Sequence, residues 1–260
     1  MGEKMQNAPV FFTIGQVRFN PILDMHRHIE GLQTEFRKYS FSGFTEENLT
    51  SLQIDPSGEA PKAVPTSQKR WRFTNSKKTG EFILFPNSIS YQTTNYETSQ
   101  EFKSRLMTAI RIVHKELNLD YVEQIGFRTL DAIIPSQDHP LEVWLKPELL
   151  GFYLSTNGSL KHSILEGVST VGPSGFLVQR VVILRGRLAI PIDLMPIALA
   201  VAERFTSIDD WHAILDTDFT AREQFDFDLD AISERLTFVK EEASKAFRIA
   251  VSSLALDLWR

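Results

Sequence analysis

The sequence predicts an α+β fold: largely antiparallel sheets with helices packed on one side, and a long helix at the C-terminal end. Three observations carry this. Apolar and polar residues alternate in short runs such as Arg70-Trp71-Arg72-Phe73-Thr74, the period of a half-buried strand. Two other segments repeat apolar residues every three or four positions behind capping residues, the period of an amphipathic helix. Several strand runs are joined by short polar turns, which make meanders and hairpins.

Residues 10–19, rich in Phe, Val and Ile after Pro9, read as the first strand. Asn20-Pro21 predicts a helix start, with Asn as cap and Pro in the first turn. Ile22, Met25, Ile29, Leu32 and Phe36 would be its buried stripe. Residues 49–54 read as a short strand, and 55–68, with three prolines and a glycine, as a loop. Residues 70–94 form a meander around the turn Lys77-Lys78-Thr79-Gly80.

Thr98 and Glu101 have capping-box spacing, and Phe102, Leu106, Ile110, Val113 and Leu117 mark the inner side of the helix they open. A strand over 122–134 follows. Residues 140–154 predict a short helix and Asn157-Gly158 a turn. Residues 162–171 and 176–184 predict a hairpin around Gly172-Pro173-Ser174-Gly175. With Pro191 and Pro196, residues 191–205 read as either a helix or an apolar connection. A strand over 213–219 precedes a helix over 229–258, whose inner side carries Leu229, Ile232, Leu236, Val239, Ala243, Phe247 and Leu254. Asp226, Asp228 and Asp230 stand at its start, where the helix dipole favours negative charge. Strands and a helix recur in both parts, which divides the chain into α+β halves at 1–135 and 136–260 and leaves open a diverged duplication or one continuous domain.

A net charge of −5 argues against broad, sequence-independent nucleic-acid binding, which depends on clustered Lys and Arg. Without cysteine there is no thiolate catalysis and no Cys-ligated zinc or iron–sulfur site; this fits a reducing cytoplasm. The start of the chain lacks the basic and apolar pattern of a secretory signal, and the longest apolar stretch is too short to cross a bilayer. A soluble cytoplasmic protein without membrane association is expected. The six histidines are scattered, and H-E-x-x-H, G-x-x-x-x-G-K-[ST] and G-x-S-x-G do not occur. No catalytic residue, metal site or cofactor is therefore assigned.

Three groups of side chains remain as candidates. Arg128 lies in an apolar strand beside Gly126, where its charge needs a partner: either Asp216 or Asp218 as a structural pair, or a ligand anion. Asp216 and Asp218, two apart on one strand face, also have the chemistry to hold Mg²⁺ beside phosphate oxygens, which gives a metal-dependent phosphate-processing enzyme as one alternative. Lys69, Arg70, Arg72, Lys77 and Lys78 around Trp71, with Arg180, Arg185 and Arg187, give the other: a nucleic-acid-binding accessory protein that stacks bases and contacts phosphates. Leu254, Leu258 and Trp259 near the C-terminal end are the candidate apolar surface for a protein partner or a second copy.

Four short motifs carry a resemblance: Val17-Arg18-Phe19-Asn20-Pro21; Tyr96 with Ser99 and Phe102; Ile125-Gly126-Phe127-Arg128; and Leu215-Asp216-Thr217-Asp218 before the closing helix. Together they resemble a sporadically distributed prokaryotic family of about this length with no established activity. Thr129, Leu130 and Asp131 stand where that family carries Tyr-Ile-Asn. The resemblance implies the same architecture, and its sporadic spread an antiviral-defence or toxin-control setting. The leading functional expectation is a non-catalytic interaction or scaffold subunit of a cytoplasmic complex.

Overall fold

A computed structural model describes residues 6–55, 62–195 and 197–260, with backbone alone for 50–55 and 62–66. In chain order its elements are β1 (Val10–Phe19), α1 (Ile29–Lys38), β2 (Gly43–Asp55), β3 (Lys62–Thr74), β4 (Gly80–Phe85), β5 (Ser88–Thr93), α2 (Ser99–Leu117), β6 (Tyr121–Ile133), α3 (Leu141–Trp144), β7 (His162–Val171), β8 (Gly175–Arg187), α4 (Glu203–Thr206), β9 (Asp209–Asp226), α5 (Leu229–Ala250) and α6 (Ser253–Leu258). The strands form one antiparallel sheet in the order β2-β3-β4-β5-β1-β6-β9-β8-β7, so the α+β architecture is as the sequence predicts. No helix among the described residues is long and apolar enough to cross a membrane.

The topology repeats. β1 pairs with β5, the last strand of the meander β2-β3-β4-β5, and α2 follows. β6 pairs with β9, the last strand of the meander β7-β8-β9, and α5 follows. The two first strands, β1 and β6, pair at the centre. Ladder hydrogen bonds thus join the two halves, and β6, which ends at Ile133, groups by topology with the strands after it.

Ladder partners share a face, and this sorts the side chains. On one face Gly15, Phe127 and Phe219 form a row, and α2 and α5 pack over it through buried Phe102, Leu106, Ile232, Leu236 and Val239. A side chain at Gly15 would lie within 2.9 Å of Leu106 and Phe102, so the glycine lets α2 approach. The other face carries Arg72 and Glu81, then Arg128, Asp216 and Arg180. Residues 188–195 and 197–208 lie across one end of that face. There Leu199, Phe205 and Ile208 pack on Phe12, Leu130 and Ile214, and the Ala200 N–H donates to the Lys78 carbonyl at 2.7 Å.

Local signals explain the helices. The Thr98 hydroxyl accepts from the Glu101 N–H at 3.1 Å, and the Asp228 carboxylate accepts from the Ala231 N–H at 2.7 Å. The Glu101 side chain takes Arg105 as its partner, so the capping box is half-formed.

Several expectations need correction. Asn20 caps no helix: its side-chain oxygen accepts from the Asp120 N–H at 2.9 Å, and the helix begins with a 3-10 turn at Met25–His28 before α1. The expected loop over 55–68 lies partly outside the described residues, at 56–61. Residues 62–68 belong to β3, paired with β2. Pro65 is tolerated because β4 reaches only as far as Trp71 along β3, leaving that stretch paired on one side. The described residues of 191–205 are a connection with a 3-10 turn at Ile192–Leu194 and the one-turn α4. The helix over 229–258 is two helices. Val251 is extended and bridges Leu145, and Ser252 restarts the chain as the cap of α6.

Candidate functional site

Arg128 is the centre of a buried ion-pair network. Its Nε and a terminal nitrogen donate to the two Asp216 oxygens at 2.7 and 2.8 Å, and the guanidinium also bonds Asp193 of the crossing segment. Arg180 reaches Asp216 at 3.2 Å and is paired with Glu166 on β7. Burial works against the charge on Arg128, but Asp216 and Asp193 outweigh it and hold the guanidinium above its ordinary pKa. Such a pair is retained because removing one member strands the other without water. Both oxygens of Asp216 accept from guanidinium groups. Asp218 makes no ion pair with Arg128 within 4 Å; burial raises its pKa against the pull of Arg128.

The basic candidates do not form one face. Trp71 is buried among Phe36 and Phe73 under α1, so no base can stack on it. Arg72 is buried and donates to Glu81 at 2.7–2.9 Å. Lys69 pairs with Glu46, Arg70 with Glu47 and Arg185 with Asp210. Arg180 is engaged as above. Lys77 and Lys78 sit in the β3–β4 turn, and Arg187 ends β8. Most of the cations that suggested phosphate contacts are thus neutralised by the chain itself.

At the C-terminal end the three apolar candidates separate. Trp259 is 6% exposed and stacked on Trp144, with centroids 5.2 Å apart. Leu254 and Leu258 remain partly exposed. The larger exposed apolar surface lies on β7, an end strand of the sheet, where Ile164, Leu165 and Val168 are 61%, 38% and 65% exposed. Phe152 and Leu154, in the segment before it, are exposed as well.

A groove on the helical face escaped the sequence reading. Two adjoining cavities of about 240 and 570 Å³ share Ser99, Phe127, Lys240, Ser244 and Arg248 as lining. They lie between the first turns of α2 and the second half of α5, which run antiparallel. Below the contact of Lys103 Nζ with Thr237 Oγ1 at 2.7 Å, the floor is Phe127 with Phe102 and Leu106. At the inner end stands Asp131, 4% exposed. Burial pushes its carboxyl up to about 7, against the hydrogen bond from Thr129. Burial and the neighbouring Asp131 push the Tyr96 phenol up to about 12. Lys240 is held below the usual ammonium range by burial and by Arg248. Three perturbed groups in one concavity mark a functional-site candidate. The signal available in the sequence was a carboxylate between Leu130 and Ala132-Ile133, in an otherwise apolar run.

No protein-family model matches the chain, and no curated protein matches it at a significant level.

Proposed function

We propose that this protein is a non-catalytic interaction subunit of a cytoplasmic complex and that it docks a partner through β7. The single observation behind this reading is an apolar edge strand without the usual defences. Edge strands in soluble proteins are blunted by lysine, proline or unpaired charge. The β7 sequence, HSILEGVSTV, has neither lysine nor proline, and its one carboxylate, Glu166, is tied to Arg180. Ile164 and Val168 project on the open face and Leu165 on the helical face, so an incoming strand gains backbone hydrogen bonds and apolar contacts on both sides.

Affinity capture from the native cell, comparing the wild type with the double variant Ile164→Lys and Val168→Lys, tests the reading. The variant should lose the specific partner while keeping its melting temperature, because both side chains are solvent-facing. Undiminished capture by the variant would refute docking at β7. A wild-type chain that captures nothing and sediments as a monomer would refute the interaction role itself.

A further inference from the structure

We infer that the groove between α2 and α5 binds a small organic anion with an apolar body, of the class of medium-chain carboxylates, with Lys240 and Arg248 holding the anionic head. This goes beyond the docking role of β7 and is independent of it. The argument is charge complementarity over an apolar floor. Lys240 and Arg248 are eight positions apart on α5, on one side of the helix, and both line the shared part of the two cavities. Neither makes an ion pair within 4 Å among the described residues, and their mutual repulsion is part of what destabilises the charge on half-buried Lys240.

Opposite them is Ser99, the first residue of the 19-residue α2, whose N-terminal end adds positive potential. Away from this head position the larger cavity continues along Phe102, Leu106, Phe127 and Leu236, carbon surface that suits an alkyl or aryl body. The lining also carries Lys103 and Lys245 against Glu97, Glu241 and the buried Asp131, and Lys245 is bonded to Glu242, so the positive character of the groove is local to Lys240 and Arg248. The cavity of about 570 Å³ falls within the size range of small-molecule sites.

The test uses the full chain and 1-anilinonaphthalene-8-sulfonate, an aryl anion whose fluorescence rises in apolar surroundings, with decanoate as competitor. Saturable binding at one site per chain, displaced by decanoate and not by decanol, is expected. Lys240→Gln and Arg248→Gln should each weaken it about tenfold, as for loss of one charge-assisted contact. Ser244→Trp should block it by filling the groove. Unchanged affinity in both glutamine variants, equal displacement by decanol, or no saturable binding to the wild type would each overturn the assignment.

Discussion

Replacing Asp131 by Asn should stabilise the protein in alkaline but not in acid solution. The native carboxyl titrates at about 7 because it is buried, against 3.8 for its ordinary value. Below about pH 4 it carries its proton in both the folded and unfolded states, and its ionisation adds nothing to the pH dependence. Between about 4 and 7 the unfolded chain ionises first, so the native state binds more protons and stability falls as pH rises. Above about 7 the penalty is constant. At 1.36 kcal/mol per pH unit, the interval from 3.8 to about 7 is worth about 4 kcal/mol in order of magnitude. Asparagine cannot ionise and escapes the penalty. Urea unfolding of both proteins from pH 4 to pH 9 isolates the effect, because every other titrating group cancels in the difference. The variant's advantage should grow between pH 4 and 7 and then level off. A difference that stays flat across the range would refute a neutral, buried Asp131.

Arg128→Met should cost about 3–5 kcal/mol in urea unfolding, since it leaves Asp216 buried without its bidentate partner; adding Asp216→Leu should recover most of the loss, and no recovery would mean that the pair is not the cause. Trp259→Ala should cost about 3–5 kcal/mol as a large-to-small change in a core, with loss of near-ultraviolet dichroism from the stack on Trp144; a cost within experimental error would place Trp259 on the surface. Thr98→Ala should cost about 1 kcal/mol by removing the cap of α2, while Thr98→Ser should cost much less, both read from thermal or urea unfolding.

What the sequence made legible was local. The cap at Thr98, the acidic start of α5 and the stripes of α2 and α5 depend on residues within a few positions of each other, so local pattern suffices to find them. The hairpin of β7 and β8 was readable for the same reason. β9 was not readable to its full length: its ends, Asp209-Asp210 and Arg222-Glu223, are polar and exposed, and what makes them strand is pairing with β8 and β6. Residues 191–205 were ambiguous because the order of the described ones comes from distant contacts, such as the Thr94 hydroxyl donating to the Ala200 carbonyl at 2.6 Å. The rule that a buried charge needs a counter-charge pointed to Asp216 or Asp218 beside Arg128, and the fold selects Asp216. Asp193, 65 positions away in that connection, carried no such sign. Lys240 and Arg248 read as ordinary helix surface until the fold placed α2 beside them.

The repeated topology gives β7 a meaning that its exposure alone does not. By position, β1 corresponds to β6, β5 to β9, β4 to β8 and β3 to β7. In the first half β3 is not an edge, because β2 pairs along all 13 of its residues. The second half has no strand corresponding to β2 among the described residues, and β7 ends the sheet where its counterpart is covered. Each half also spends its open-face charges internally, Arg72 on Glu81 and Glu47 in one, Arg128 and Arg180 on Asp216 in the other. Those faces are therefore electrostatically satisfied and poorly suited to recruit a charged partner. The unfilled capacity for hydrogen bonds and apolar contact is concentrated at the position where the first half places its additional strand. A partner that supplies one strand there restores the pattern the first half completes by itself.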